Sequence, residues 1–272
     1  GDWEFRPGPK VEGWNPYEVL PSLTDNAVEY INTRDPKEPF FLYLALPSPH
    51  APIIPNDEFD GKSKAGAYGD FMVQTDWVAG QVIQAIKDKG LEENTIVIFS
   101  ADNGPEGYAW KRAEDYGHFS MGDFRGLKRD VWEGGHHVPF IIKWPGKIKE
   151  GSVSQETISQ IDLMATLAEI AGASLPENAA PDSYNLLPVL KSEPYPTKWG
   201  IRKGKWLYID DSTGGHRTLP PSFKALKGYS DFKTAGLLFN MEEDPEQRVN
   251  LYLEHQEKVK ELEALLQKYR ES

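Results

Sequence analysis

TIVIFSADNG, residues 95–104, sets an apolar run directly before an acid, an amide and a glycine. Residues 95–100 have the character of a strand buried inside a sheet. Upstream, residues 68–90 carry apolar side chains at helical spacing. Residues 39–47 form another apolar run bounded by prolines, which predicts a strand that is buried on both faces. The order strand, helix, strand predicts an α/β fold with flanking helices on a mostly parallel sheet.

Polar residues follow both predicted strands at the points where they end. Asp102 and Asn103 offer hard oxygen ligands of the kind that suit Ca²⁺ or Mg²⁺, although Asp-Asn-Gly is also a common turn sequence. His50 follows the strand over residues 40–46 on a stiff loop between Pro49 and Pro52. Parallel neighbouring strands would put it at the same edge as Asp102, where it could act as a proton donor; the alternative is a structural histidine.

A basic segment forms the third candidate element. Arg125, Lys128 and Arg129 lie close together, and the glycine pair 134–135 and a strand follow them. Such a loop could aim a lysine at an oxyanion. The alternative is a solvated basic turn whose charge is offset by neighbouring aspartates.

The remaining pattern predicts the domain organisation. Residues 104–124 read as a long polar loop, and residues 157–172 as an amphipathic helix that ends at a glycine. Short strands over residues 204–210 and 236–240 precede a terminal helix over residues 254–270. We therefore expect an α/β domain over residues 1–185 and a small α+β subdomain over residues 186–272.

Composition narrows the classes of partner. The chain has 272 residues and a formal net charge of −12, which opposes nucleic-acid binding and docking on an anionic membrane. It contains no cysteine, so disulfides and zinc–thiolate sites are excluded. No apolar run reaches the roughly 18 residues that a membrane span requires.

Five blocks of sequence, taken together, are specific for one family. They are LALPSPHAP, NTIVIFSADNG, FRGLKRDVWEGGHHVPFIIKWPGKI, QIDLMATLAEIAG, and IRKGKWLYI with LFNMEEDPEQRVNLY. In order and content they resemble the sulfatases of the alkaline-phosphatase superfamily. The resemblance implies that Asp102 and Asn103 are ligands of a single Ca²⁺ that holds the sulfate group. It implies that Lys128 contacts the sulfate and the leaving oxygen, and that His50 helps to protonate the leaving group.

Some features of such sulfatases are not found in this sequence. The formylglycine nucleophile arises from a C/S-x-P-x-R motif, which is absent, as is the family's first metal-binding Asp pair. The resemblance thus predicts the C-terminal part of a sulfatase, inactive as this chain alone and able to associate with the missing N-terminal half. It also implies export and places His137 where the family often has Arg. The link near residues 197–198 is shorter than the resemblance leads us to expect, which leaves open whether a segment is missing there.

Other functions stay open at this point. The chain could be a non-catalytic module for sulfated glycan, with Trp110, Lys111, Arg112 and His216 on the rim of the substrate site. It could also be a phosphodiesterase or phosphonate hydrolase of the same superfamily. Two-metal relatives need extra His and Asp ligands, and the six histidines show no obvious ligand spacing. If the chain is part of a sulfatase, its predicted partner is a sulfated small molecule or glycan.

Overall fold

A computed structural model describes residues 11–153, 158–176, 178–180, 182–183, 185–187, 195–196, 200–212 and 220–271. His216 and residues 197–198 lie outside the described residues. Within them the helices are α1 (Val19–Thr33), α2 (Gly66–Asp88), α3 (Tyr108–Tyr116), α4 (Glu133–His136), α5 (Asp162–Ile170), α6 (Pro221–Lys227) and α7 (Gln256–Glu271). The strands are β1 (Val97–Ser100), β2 (Phe140–Lys143), β3 (Tyr195–Pro196), β4 (Gly200–Lys203), β5 (Trp206–Ile209) and β6 (Leu237–Asn240).

The chain divides into two compact units. The first comprises Gly1–Ser100, Arg112–His118 and Phe140–Ser152, and the second comprises Ala101–Lys111, Phe119–Pro139 and Val153–Ser272. The mixture of helices and sheets confirms the predicted α/β class. The predicted boundary at residues 185 and 186 lies inside the second unit and stays a prediction.

In the first unit, α1 and α2 pack together over an apolar core. Ile31 from α1 and Ala85 and Ile86 from α2 are buried in it. The helix α1 follows directly on Pro16–Glu18, which form a 3₁₀ turn that the Asn15 side chain caps. Thr24 lies inside α1 and donates a hydrogen bond to the Leu20 carbonyl at 2.7 Å.

The sheet of the first unit corrects the predicted strand direction. β1 and β2 pair antiparallel, with Phe99 opposite Ile141, so the parallel arrangement is not seen among the described strands. Residues 40–46 have no ladder partner in the part that the structure describes. Their exposure alternates: Phe40 and Leu42 pack against the helical core, whereas Phe41 is 73% and Tyr43 80% exposed. The prediction that both faces of this segment are covered is therefore wrong for this chain.

The second unit contains an antiparallel sheet in the order β3-β4-β5-β6. Alternate residues of β5 and β6 enter different apolar clusters, as the period of a strand requires. Leu207, Ile209 and Phe239 join Trp132 in one cluster. Tyr208 and Leu238 join α7 in the other, where Val259, Leu262 and Leu266 are buried as the helical pattern predicted.

The polar stretch over residues 104–124 differs from its prediction as a loop. It contains α3, which ends at Gly117 in a left-handed conformation with φ of +65°. Gly117 donates its N–H to the Ala113 carbonyl at 3.0 Å, an arrangement typical of a helix C-terminus. None of the helices in the described ranges is both long and apolar enough to cross a membrane.

Candidate functional site

Asp102 and Asn103 come directly after β1, in the second unit. Asp102 is exposed and Asn103 is half-buried. The Asn103 Nδ2 group donates a hydrogen bond to the Gly104 carbonyl at 2.9 Å, which leaves the Asn103 Oδ1 available as a ligand for a cation. Among the residues that the structure describes, no group of three or more His, Asp or Glu side chains is arranged to hold a metal.

Backbone hydrogen bonds join the Asn103 turn to the Lys128 segment. Gly104 N–H donates to the Gly135 carbonyl, and Lys128 N–H donates to the Pro105 carbonyl, both at 2.9 Å. A Cβ atom on Gly104 would overlap the Gly134 carbonyl, so the two backbones approach more closely than any side chain allows. The structure thus brings together two of the predicted site segments, those of Asn103 and Lys128.

A tight turn presents Lys128. Arg129 has a φ of +80°, which is uncommon for a residue other than glycine, and it pairs with Glu106 at 2.6 Å. Asp130 accepts a hydrogen bond from Leu127 N–H at 2.8 Å. Lys128 is half-buried between these neighbours. The turn therefore has defined contacts on both sides of the lysine, and its geometry is not that of a freely solvated basic loop.

Glu133 holds the end of this segment in place. It is 2% exposed, and its Oε2 accepts hydrogen bonds from His137 Nδ1 at 2.6 Å and Arg202 Nη1 at 2.8 Å. Its N–H donates to Gln247 Oε1 at 3.3 Å. Burial alone would raise the pKa of Glu133, but the His137 hydrogen bond and the nearby positive charges outweigh burial and lower that pKa. Glu133 is therefore ionised and joins three separate stretches of chain.

His137 makes two defined contacts within the second unit. Its ring stacks on Phe124 with a centroid distance of 4.2 Å, while its Nδ1 is bound to Glu133. A histidine with both of these contacts has a structural role. Its exposed fraction of 44% leaves part of the ring accessible.

Arg125, beside Lys128 in sequence, is buried and faces aromatic rings. Its guanidinium carbon lies 4.1 Å from the ring centroid of Trp132, 4.9 Å from Tyr229 and 4.8 Å from Phe232. Burial lowers the pKa of this guanidinium. The cation–π contacts compensate for lost hydration. Arg125 therefore stabilises the unit, whereas Lys128 is half-buried and Arg129, which pairs with Glu106, is exposed.

His50 lies in the first unit on a loop with proline on each side. Its N–H donates to the Pro47 carbonyl at 3.0 Å, and its Nδ1 donates to the Ala51 carbonyl at 2.7 Å. Thr75 Oγ1 lies 2.8 Å from Ser48 Oγ and ties the loop to α2. Because a carbonyl only accepts, Nδ1 carries a proton, and Nε2 is the nitrogen left for a substrate.

The proposed rim residues have different environments. Lys111 is exposed. Trp110 packs against Phe223 at a centroid distance of 6.0 Å, and its indole N–H is buried with no hydrogen-bond partner among the described residues. Arg112 is only 8% exposed, with its guanidinium 3.7 Å from the Tyr68 ring centroid. Its burial favours a supporting role beneath Tyr68 over direct contact at an exposed rim.

Comparison with known proteins gives one consistent family. Residues 7–173 match the Sulfatase family, and residues 122–272 match the family described as N-sulphoglucosamine sulphohydrolase, C-terminal. An N-acetylgalactosamine-6-O-sulfatase of Bacteroides thetaiotaomicron is 34% identical over 281 residues, covering 96% of this chain and 52% of that relative. A steryl-sulfatase of Rattus norvegicus is 38% identical over 169 residues, covering 62% of this chain and 29% of that relative.

A solved structure extends the match to three dimensions. It comes from work on the metabolism of multiple glycosaminoglycans by Bacteroides thetaiotaomicron, with a TM-score of 0.80 and 31% identity. The match covers 95% of this chain and 56% of that one, and confirms the alkaline-phosphatase-like fold. The chain spans about half the length of these two Bacteroides relatives. With its sulfatase match over residues 7–173 and this fold, the chain belongs to the sulfatase family.

Proposed function

We propose that this chain supplies the calcium-binding and sulfate-binding residues of a sulfuric ester hydrolase that acts on a sulfated glycan. The observation that carries the proposal is the backbone junction between the Asn103 turn and the Lys128 segment. Two hydrogen bonds of 2.9 Å and the close approach at Gly104 hold an oxygen-donor turn next to a cationic turn. A sulfate ester needs both features, because its oxygens are negative and its leaving oxygen gains charge during cleavage.

The donor chemistry of Asp102 and Asn103 fits Ca²⁺. A carboxylate and an amide oxygen are hard ligands, and the Asn103 hydrogen bond to Gly104 leaves Oδ1 available. A bound Ca²⁺ would neutralise negative charge on the sulfate oxygens. Ca²⁺ takes six or more oxygens, so we infer that other residues, together with the formylglycine nucleophile, come from outside this chain.

Lys128 and His50 have distinct roles in the proposed reaction. Lys128 Nζ would bind a sulfate oxygen and the oxygen that leaves. When the sulfur–oxygen bond to the leaving group breaks, that oxygen takes up a proton, which the Nε2–H of a protonated His50 would donate. The bond from Nδ1 to the Ala51 carbonyl would hold the ring in orientation.

The test uses the enzyme that contains this chain, with N-acetylgalactosamine 6-sulfate as the substrate. We expect Lys128→Ala to lower kcat/KM by about 10²–10³-fold, as for loss of one charge-stabilising group. Lys260→Ala, at an exposed position on α7, is the matched control and should leave kcat/KM unchanged. A Lys128→Ala enzyme within twofold of the parent would overturn the proposal. Faster cleavage of the 6-phosphate would favour the phosphoester alternative.

We also propose that the chain works together with a segment that completes the sulfatase fold. Support comes from the exposed apolar side chains Phe41 and Tyr43, and from Phe99 and Ile141, which face each other across β1 and β2. The chain alone should be inactive. Metal-dependent turnover of a sulfate ester by these 272 residues alone would contradict this prediction.

The location proposed from the family resemblance is outside the cytoplasm, in the periplasm or the medium. Fractionation of the source cells, followed by detection with an antibody against this chain, tests it. Recovery in the cytoplasmic fraction alone would overturn the proposal.

A further inference from the structure

A cavity in the first unit is lined by none of the residues to which catalytic, metal-binding or rim roles are assigned above. Its volume is about 400 Å³, near the lower end of the range for small-molecule sites. We call it the Tyr68–His118 pocket. Its lining comes from the start of α2 with the loop before it, and from the end of α3: Ser63, Lys64, Ala65, Tyr68, Gly69, Met72, Tyr116, Gly117 and His118.

Defined contacts fix the two walls of the pocket. On the α2 side, the buried Asp70 carboxylate accepts hydrogen bonds from Ser63 N–H at 2.7 Å and Gly61 N–H at 3.0 Å. On the α3 side, Gly117 has a left-handed conformation that ends the helix, and His118 follows it directly. A Cβ on Gly66 would lie 2.6 Å from the Tyr116 hydroxyl, so the Tyr116 ring occupies the space that any side chain at position 66 would need.

The polar groups of the pocket are donors and cations. Arg112 is buried beneath Tyr68, and Lys64 is exposed at the opening. Burial, followed by the Arg112 charge, lowers the pKa of His118, so its ring is neutral near pH 7. The Asp70 carboxylate is already engaged by backbone N–H groups. The pocket thus combines two phenols and a neutral imidazole with positive charge.

This combination matches the chemistry of an anionic sugar. Half-exposed Tyr116 offers apolar ring surface to a pyranose, and the phenols and the imidazole can hydrogen-bond hydroxyl groups. Lys64 can pair with a sulfate or a carboxylate. We propose that the Tyr68–His118 pocket binds a sugar residue that carries a sulfate or carboxylate group. The choice of ligand rests on the proposed function, in which the chain acts on a sulfated glycan.

Met72 makes the proposal directly testable. The chain has four methionines, and Met72 is the one that lines this pocket. We would label the methionine methyl groups with ¹³C and titrate the chain with a chondroitin 6-sulfate tetrasaccharide. The Met72 resonance should shift, while that of Met241, buried in the second unit, should not. Unsulfated chondroitin still carries carboxylates, so weaker binding of this ligand would assign the Lys64 partner to the sulfate, and equal binding would assign it to the carboxylate.

Substitutions complete the test. Lys64→Ala and His118→Ala should each weaken tetrasaccharide binding about tenfold or more, as expected for loss of a charge-assisted or buried hydrogen bond. Lys62→Ala removes an exposed lysine two positions away that does not line the pocket, and should leave affinity unchanged. If His118→Ala does not fold, His118→Gln and the exposed Lys64→Glu take its place.

The outcomes separate this subsite from the proposed reaction. The subsite is overturned if the tetrasaccharide does not bind at millimolar concentration, if Met72 does not shift, or if the pocket variants bind like the parent. Loss of binding in Lys128→Ala with normal binding in Lys64→Ala would support the sulfate site and reject the pocket. The reverse pattern would support the pocket and reject the assigned sulfate site. A nucleoside diphosphate that binds more tightly than the tetrasaccharide would also reject the sugar assignment.

Discussion

Gly104 sits where two turns of the site approach each other, and its missing side chain is what permits the approach. Its N–H binds the Gly135 carbonyl at 2.9 Å. We expect Gly104→Ala to destabilise the chain by about 1–3 kcal/mol, because the added methyl group forces the Gly134 backbone away. Urea unfolding measures the change.

A second glycine provides the control for that substitution. Gly80 lies within α2, and a Cβ there meets nothing within 4 Å. Gly80→Ala should stabilise the chain by about 0.5–1 kcal/mol through helix propensity. Equal stabilities for the two variants would mean that the close approach at Gly104 is not required.

His50 can be tested through the chemistry of the leaving group. A phenolate such as 4-nitrophenolate leaves without protonation, whereas a sugar alkoxide needs a proton. In the enzyme that contains this chain, we expect His50→Ala to lower kcat/KM for a sugar 6-sulfate by about 10²–10⁴-fold. The loss for 4-nitrophenyl sulfate should be much smaller. Equal losses for both substrates would assign His50 to sulfate binding and contradict its role as the acid.

Residue identity explains which site groups the sequence could predict. Asp102, Asn103, Lys128 and His50 stand out because each follows a predicted strand or lies in a dense local motif. Glu133 was missed, because its partners Arg202 and Gln247 lie 69 and 114 residues away in sequence. The one local signal is the spacing of Glu133 to His137, which puts both on adjacent turns of a helix.

At the scale of elements, the sequence predicts a helix or a strand more readily than it predicts which segment covers each face of that element. The terminal helix was predicted correctly because its apolar residues repeat at the helical period and face a sheet of the same chain. An apolar run such as residues 40–46 indicates a strand that can be buried on both faces, yet it does not say which segment covers each face. In this chain only the face of Phe40 and Leu42 is covered.

The contribution of Glu133, in α4, to the stability of the chain depends on pH. Its folded pKa is lowered, so its contribution to stability is complete above the unfolded carboxyl pKa of about 4.3 and is lost as the pH falls through the folded value. We expect Glu133→Gln to destabilise the chain by about 2–3 kcal/mol at pH 7, since His137 and Arg202 lose a buried anion. The difference from the parent should shrink as the pH falls below 4.

An exposed carboxylate serves as the matched control for Glu133. Glu261 pairs with Lys203 at 3.1 Å, but its side chain is 40% exposed. Glu261→Gln should change stability by less than about 1 kcal/mol, because solvent screens the pair. Unfolding free energies from denaturant titration between pH 3 and 7 would give both comparisons. A pH-independent difference for Glu133→Gln would contradict the assigned charge.

At the scale of the whole molecule, the central strands of the second unit are covered on both faces, whereas apolar side chains beside the strands of the first unit are exposed. Both faces of β5 and β6 pack against apolar clusters of the chain itself. In the first unit, Phe41 and Tyr43 together with Phe99 and Ile141 remain exposed. Large exposed apolar groups are typical of surfaces that another segment or a partner covers. The segment proposed above, which would carry the rest of a sulfatase fold, is one that could cover this surface, since the chain matches about half of the Bacteroides relative.

The double variant Phe41→Thr/Tyr43→Thr tests that proposal, because threonine keeps strand propensity and removes the apolar rings. In the isolated chain it should reduce binding of the dye ANS and self-association in sedimentation velocity, with little change in the unfolding midpoint. In the enzyme that carries the rest of the fold, the midpoint should fall, since burial of each ring contributes about 1.5–3 kcal/mol. Leu253→Thr, at a single site that is 72% exposed, should change neither. An unchanged midpoint for the double variant in that enzyme would show that nothing covers this face.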